Sequence, residues 1–310
     1  MSNPTRLIDS WTSALINAEC RSSYRKYEKL LIKHYSAYYE RHSNLRCARH
    51  AYSARSLSAA LPDGYAALRQ LLPPRSTHIH ARSARSSQSL ALALLGCAAD
   101  RDPSLRWFWK ALRLPHQAKE ATRYTFEQTL SPPDLNEQPR ASQLDFVAET
   151  SHYLAAVECK WSEAGFGICS CTREREGNPG VGGFCPDRVI VRPKYWQTAQ
   201  KVFGLFGERL PFLPCPISTA YQAIRTAAAA RQLAGRHRRA VFVLLFDANN
   251  PYFRHTGAWP GWPALLRQTV ATKNTCSRFR FRALSWQHLI RLLPLLPEVR
   301  EWALEKHRLG

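Results

Sequence analysis

The stretch from Gln143 to Glu163, QLDFVAETSHYLAAVECKWSE, constrains the fold more than any other. Leu144, Phe146 and Val147 on one side, and Leu154 to Val157 on the other, have the make-up of half-buried strands. Ser151 and His152 centre a tight turn between them. That register sets Asp145 directly opposite Glu158, so both carboxylates point to one face with Cβ atoms roughly 5 Å apart. Like charges so placed repel and weaken a hairpin. A divalent cation between them turns repulsion into ligation, because hard cations take carboxylate oxygens. Strand period two adds Lys160 to the same face and sends Val157, Cys159 and Trp161 to the other, where they can pack on a helix layer. A one-residue slip would separate the two carboxylates.

At 310 residues, 45% of them hydrophobic, the chain is globular and long enough for one large domain, or one domain with an extension. Lys and Arg exceed Asp and Glu by 44 − 23 = 21. Arginine is the better fork for phosphate oxygens, and a surplus of this size points to a polyanionic partner, nucleic acid above all. The competing reading is a basic protein with no such partner. The first residues hold no apolar signal core, and no run of about 18 apolar residues occurs, so membrane spanning is excluded and a cytoplasmic protein is expected. Nine cysteines, an odd number, fit reduced thiols better than a disulfide framework.

Residues 1–75 read as a basic, helical N-terminal region. In YRKYEKLLIKHYSAYYERH, Tyr27, Leu30, Leu31, His34, Tyr35 and Tyr38 form one stripe at helical spacing. A second helical stretch runs from Ser56 to Leu72, broken at Pro62-Asp63-Gly64. Residues 76–310 read as the main domain. Ser86 or Ser87 caps a helix through SLALALLG that stops at Gly96. Gln88, in its first turn, is either a polar end residue or a contact to phosphate or metal. Trp107–Leu112 is a helix fragment and Arg123–Leu130 a strand. Within that strand Glu127 is expected at an edge or facing solvent, the alternative being a further site carboxylate. SPPDLNEQPRAS, with three prolines, is expected to be an irregular loop.

After the hairpin a Cys- and Gly-rich insertion occupies about 164–192. Cys169, Cys171, Cys185 and Cys215 are four thiols that can hold structural Zn²⁺ or an iron–sulfur cluster, but the pattern is one CxC and two isolated cysteines, so free buried thiols are the competing reading. A helix is expected over Pro193–Phe206. Ala-rich Thr219–Leu233 is the clearest helix of the chain; Gln222 and Arg225 share one of its faces and can hold a phosphate. Ala240–Phe246, AVFVLLF, is a strand buried on both faces, and Arg278–Leu284 alternates basic and apolar residues as another strand. Trp286–Leu293 and Glu298–His307 close the chain as helices. The sum is an α/β (α+β) architecture: a mixed central sheet flanked by helices, with an α-helical N-terminal extension.

The arrangement Asp145 … Glu158-Cys159-Lys160 resembles the catalytic core of the PD-(D/E)XK nuclease superfamily, the restriction-endonuclease-like fold. Ser86-Ser87-Gln88, LDFVAET with VECKWSE, and AYQAIR are similar to a group of bacterial restriction-endonuclease-like proteins, over roughly residues 85–290. The resemblance implies that Asp145 and Glu158 bind Mg²⁺ (or Mn²⁺), that Lys160 assists the nucleophile, that Gln222 is the polar residue of the helix after the core strands, and that Glu163 belongs to the site. Leu144 stands where the family's leading proline falls. A Mg²⁺-dependent DNA endonuclease, restriction- or defence-related and working as a homodimer if both strands are cut, is the function implied. The alternative is a basic nucleic-acid-binding protein with a cysteine-ligated structural metal that does not cut. A thiolate–metal redox or sensor protein is a third reading.

Overall fold

The computed structural model describes residues 18–47, 50–74, 76–114, 120–135, 142–166, 221–253 and 278–310. In chain order its main elements are helix α1 (Ala18–Arg41), strands β1 (Arg46–Cys47) and β2 (His50–Ala54), helices α2 (Ser87–Arg101) and α3 (Arg106–Ala111), strands β3 (Arg123–Thr129), β4 (Gln143–Glu149) and β5 (Tyr153–Cys159), helix α4 (Tyr221–Ala234), strands β6 (Arg239–Phe246) and β7 (Phe279–Ser285), and helix α5 (Pro297–His307).

β4 and β5 pair antiparallel, with Phe146 opposite Val157 and Glu149 opposite Leu154. The Thr150 N–H donates to the Tyr153 carbonyl at 2.8 Å across a turn centred on Ser151 and His152. Thr150 Oγ1 accepts the N–H groups of both His152 and Tyr153, which fixes the turn. β3 adds antiparallel to β4, β6 lies parallel to β5 and β7 parallel to β6, giving a five-stranded mixed sheet in the order β3-β4-β5-β6-β7. Parallel neighbours need a crossover, and α4 lies within the one between β5 and β6, packed on both strands.

Strand alternation divides the core in two. Tyr153, Ala155, Val157 and Cys159 of β5, followed by Trp161, pack under α1, α2, α3 and α5. Leu154 and Ala156 face the alanine-rich side of α4. β6 is buried along both faces, as its unbroken apolar run requires. The first helix is built into the same core. Tyr27, Leu31, Tyr35, Tyr38 and Tyr39 are buried, and the Tyr35 hydroxyl accepts the Trp161 indole N–H at 2.6 Å.

Several sequence expectations are corrected. Leu30 is 59% exposed: the buried stripe steps from Tyr27 to Leu31, Tyr35 and Tyr38–Tyr39, one helical row, and Leu30 lies off it. Arg46–Cys47 and His50–Ala54 pair as antiparallel strands β1 and β2 rather than forming helix. Ser56–Leu72 is reduced to one α-turn, Leu57–Ala60, and a 3₁₀ segment, Ala66–Leu71. Gly96 does not stop α2, which continues to Arg101; it lets Leu68 pack against the helix, with a Leu68 methyl only 3.2 Å from where a Cβ would stand. Pro132–Leu135 forms a helical turn inside the expected loop, because proline is tolerated in a first turn whose N–H groups have no partner. The helix from Trp286 ends at Leu289. The expected helix Pro193–Phe206 lies outside the described residues.

The Tyr35 hydroxyl ties α1 to the end of β5, and it also lies 3.2 Å from His307 Nδ1. Tyr35→Phe leaves the Trp161 N–H unsatisfied in the core, so the variant should keep its circular dichroism spectrum but lose about 1–3 kcal/mol of stability in chemical denaturation.

Candidate active site

Parity along β5 places Glu158 on the α4 side of the sheet, and Lys160, just past the strand end, keeps the same parity. Both are nearly sealed from solvent, at 6% and 4% exposure. Lys160 Nζ lies 2.8 Å from Glu158 Oε1, and the Thr226 hydroxyl of α4 donates to Glu158 Oε2 at 2.7 Å. Asp145 stands one residue before the last ladder pair, Phe146 with Val157, and so at the level of Glu158. Its Oδ2 accepts the Cys159 N–H at 2.6 Å, so a side chain takes over as acceptor where the β4–β5 ladder ends.

A third carboxylate joins these two. Glu127 falls between the ladder pairs Phe126–Phe146 and Gln128–Leu144, which puts it beside Asp145. It is buried, and its backbone has φ of 50°, left-handed in mid-strand. A left-handed residue with a Cβ costs roughly 1–2 kcal/mol, and such outliers gather at functional sites. Gln88 Nε2 donates to Glu127 Oε1 at 2.7 Å and to the Ser76 carbonyl at 3.0 Å, while its Oε1 accepts the His78 N–H. Gln88, capped into α2 by Ser86, therefore links the loop 76–80 to the carboxylates. Among the described residues β3 is the edge strand the sequence allowed for, but Glu127 is buried rather than solvent-facing, and its positive φ is invisible in a sequence.

The chain beyond Lys160 leaves the sheet with its carbonyls received one by one. Trp286 Nε1 donates to the Lys160 carbonyl, Tyr27 and Asn250 to that of Trp161, Tyr24 to that of Ser162, and Asn250 again to that of Glu163. Asp247, at the end of β6, anchors two donors, accepting from Tyr27 at 2.6 Å and from Gln287 at 2.6 Å. Glu163 Oε2 accepts the Trp161 N–H at 2.5 Å. Gln222 sits in the first turn of α4, its N–H bonded to the Phe166 carbonyl, one turn before Thr226 and so on the same side. Arg225 lies close enough for its charge to act on Glu158. Thr226 and Asp247 went unnoticed in the sequence, though each left a trace: a polar residue four after Gln222 in an alanine face, and a charge ending the run AVFVLLF. Cys169, Cys171, Cys185 and Cys215 lie outside the described residues.

A family model described as "Restriction Endonuclease associating with ARP" (REase-ARP) matches residues 19–305, nearly the whole chain and every residue of this site. The chain belongs to the REase-ARP family. No curated protein and no solved structure matches it. The mixed sheet with helices on both faces gives this family member a restriction-endonuclease-like fold.

The three carboxylates of the REase-ARP site are held in different electrostatic states. Burial, then the charges of Glu158 and Glu127, push the Asp145 carboxyl well above the usual carboxylate range. Burial, opposed by the Gln88 hydrogen bond and reinforced by Glu158, pushes Glu127 up to about 7. Burial alone would raise Glu158 too, but the charge and hydrogen bond of Lys160 and the Thr226 hydroxyl bring it below its ordinary value. Among the described residues no group of three or more His, Cys, Asp or Glu side chains forms a metal cage. Mg²⁺ needs none, since it keeps several waters and uses one or two carboxylates.

Glu127 makes stability depend on pH. Its pKa is raised from 4.5, so the stability it contributes is present below about 4.5 and lost as pH rises through about 7. In EDTA the melting temperature should fall across that window, and Glu127→Gln should flatten the fall. A Glu127→Gln profile parallel to that of the parent would contradict the assignment.

Proposed function

We propose that this REase-ARP protein is a Mg²⁺-dependent endodeoxyribonuclease of the PD-(D/E)XK type, serving restriction or defence. The observation that carries the reading is the convergence of Asp145, Glu158 and Lys160 at the end of the β4–β5 ladder, with Lys160 Nζ 2.8 Å from Glu158 Oε1. Asp145 and Glu158 would hold the cation, Mg²⁺ or Mn²⁺, which supplies Lewis acidity toward a phosphoryl oxygen and acidifies water at neutral pH. The net charge of +21 supports DNA as the substrate.

The chain's own residues have separable tasks. Burial works to lower the Lys160 pKa, but Glu158, Glu163 and Asp145 together hold it above its ordinary value, so its ammonium stays charged. A charged lysine cannot take a proton from water; it orients the water and offsets charge building on the phosphoryl group. Thr226 and Lys160 occupy one oxygen each of Glu158 and set the plane of its carboxylate. Gln222 and Arg225, on the helix that carries Thr226, hold a phosphate beside the reacting one. Gln88 acts through Glu127, and Glu163 through the backbone of Trp161.

Cutting both strands of a duplex calls for two such sites, hence a homodimer. The family description adds association with a partner, ARP. Among the described residues no helix is long and apolar enough to cross a membrane, and we place the protein in the cytoplasm.

Plasmid DNA incubated with the purified protein and Mg²⁺ or Mn²⁺ should be cleaved. EDTA and Asp145→Asn should abolish cleavage, and Lys160→Ala should slow it by at least about 10²-fold, the scale on which removal of one electrostatic group acts. Plasmid that is bound yet stays intact with either metal would overturn the reading.

A further inference from the structure

Among the described residues β7 is an edge strand, and from Arg278, just before it, the chain alternates Arg278, Arg280 and Arg282 with Phe279, Phe281 and Ala283. Its register with β6 sets Arg280 beside Val241 and Arg282 beside Val243, whose side chains belong to the core under α2, α3 and α5. The three arginines share that face, and Phe281 packs on Phe242 across the other. Arg282 Nε donates to the Leu112 carbonyl at the end of α3, which brings Arg113 into the group. The guanidinium groups of Arg280 and Arg239 lie 5.9 Å and 5.8 Å from the centre of the Tyr153 ring, and Arg239 Nη1 donates to the Tyr153 hydroxyl.

These arginines are left uncompensated. Arg123 and Arg238, next to them in the sheet, share Glu149. Among the described residues Arg113, Arg239, Arg278, Arg280 and Arg282 have no carboxylate within ion-pair distance. Their crowding is felt: burial, then the charges of Arg280 and Arg113, hold Arg282 below the usual arginine value. Arg113 also has φ of 58° at the residue after the α3 cap, where glycine is favoured, with the Leu114 N–H closing on the Trp109 carbonyl at 2.8 Å. The cluster lies on the opposite face of the sheet from Glu158: Tyr153 and Arg239 open their strands, about 17 Å before Glu158 along β5, and Arg282, level with Val157 through Val243, stands two strands across the sheet.

We infer that this arginine cluster grips the phosphodiester backbone of a DNA segment other than the one presented to Glu158 and Lys160. Guanidinium forks suit phosphate oxygens, and a row of them on an edge strand, beside Arg239 and Arg113, can neutralise several phosphates at once. The inference rests on DNA being the substrate, and it is measured by binding alone, with no cleavage.

Anisotropy of a labelled 60-bp duplex, titrated with the full chain in EDTA at several NaCl concentrations, tests it. Arg113→Gly/Arg239→Gln/Arg280→Gln removes three charges and spares Arg282, which anchors α3. The slope of log K against log salt should become shallower by about 0.9 for each phosphate no longer neutralised, so by about 2–3 for the triple variant. A control, Lys26→Gln/Lys29→Gln/Lys33→Gln on α1, removes the same charge from exposed positions and should change the slope by less than about 0.9. Arg113→Gly alone relieves the left-handed strain; it should melt no lower than the parent, yet flatten the slope by about 0.9. An unchanged slope in the arginine variants, or an equal flattening in the α1 control, overturns the inference. Failure of the nuclease reading looks different: the parent binds DNA through these arginines but leaves it uncut.

Discussion

The buried pair of Glu158 and Lys160 is the interaction on which the rest of the site depends. Two charges held inside a protein each lose hydration worth several kcal/mol, and their attraction offsets this only when geometry and additional hydrogen bonds are favourable. Here the pair is 2.8 Å apart, Thr226 takes the second oxygen of Glu158, and the Lys160 N–H continues the parallel ladder to the Leu245 carbonyl at 2.7 Å. Each requirement recruits an element. Thr226 needs α4 on that face, Leu245 needs β6 parallel to β5, and the backbone leaving the sheet after Lys160 needs donors from α1 and from the segment after β6. The positions of α1, α4 and β6 can be read as conditions for keeping one ion pair out of water.

Asp145 and Glu127 are placed on the opposite principle. Their carboxylates stand near Glu158 with, among the described residues, no cation as close as Lys160 is to Glu158, and both are pushed toward the protonated form. Glu127 also holds a left-handed backbone in mid-strand. A fold retains such costs where a ligand removes them, and the divalent cation we propose would remove this one by offsetting the repulsion among the acids. Lys160 satisfies Glu158 when nothing is bound, and the other two acids are left in want of charge.

The hairpin was legible in the sequence because alternation and turn length leave few registers, and because a charged residue is conspicuous in an apolar strand. Asp145, Glu158 and Lys160 were found that way, and the apolar run of β6 announced a strand buried on both faces. What escaped depended on features with no local signature. Glu127 looks like any strand glutamate until its φ is known. Gly96 has the appearance of a helix stop, and only the approach of Leu68 shows it to be a packing site. Leu30 fits a helical stripe as well as Leu31 does; which one is buried is decided by the surface α1 meets. The donors that cap residues 160–163 come from α1, Asn250 and Trp286, far apart in the chain, and pattern cannot bring them together.

The same sheet separates opposite charges by face. In β5 and β6 the strands run from Tyr153 and Arg239 toward Glu158 and Asp247, and Arg280 and Arg282 follow along β7 on the face opposite Glu158. Interleaving them would pair arginine with acid, as Glu149 does with Arg123 and Arg238. Neutralised in that way, the acids would have little need of a cation and the arginines little hold on a phosphate. Keeping the two groups on opposite faces of the sheet leaves each unsatisfied. For a chain with a net charge of +21, the scarce resource is negative charge. Placing Glu127, Asp145 and Glu158 together, rather than among the arginines they could neutralise, is the distribution that the proposed cation-dependent site on a DNA-binding protein would require.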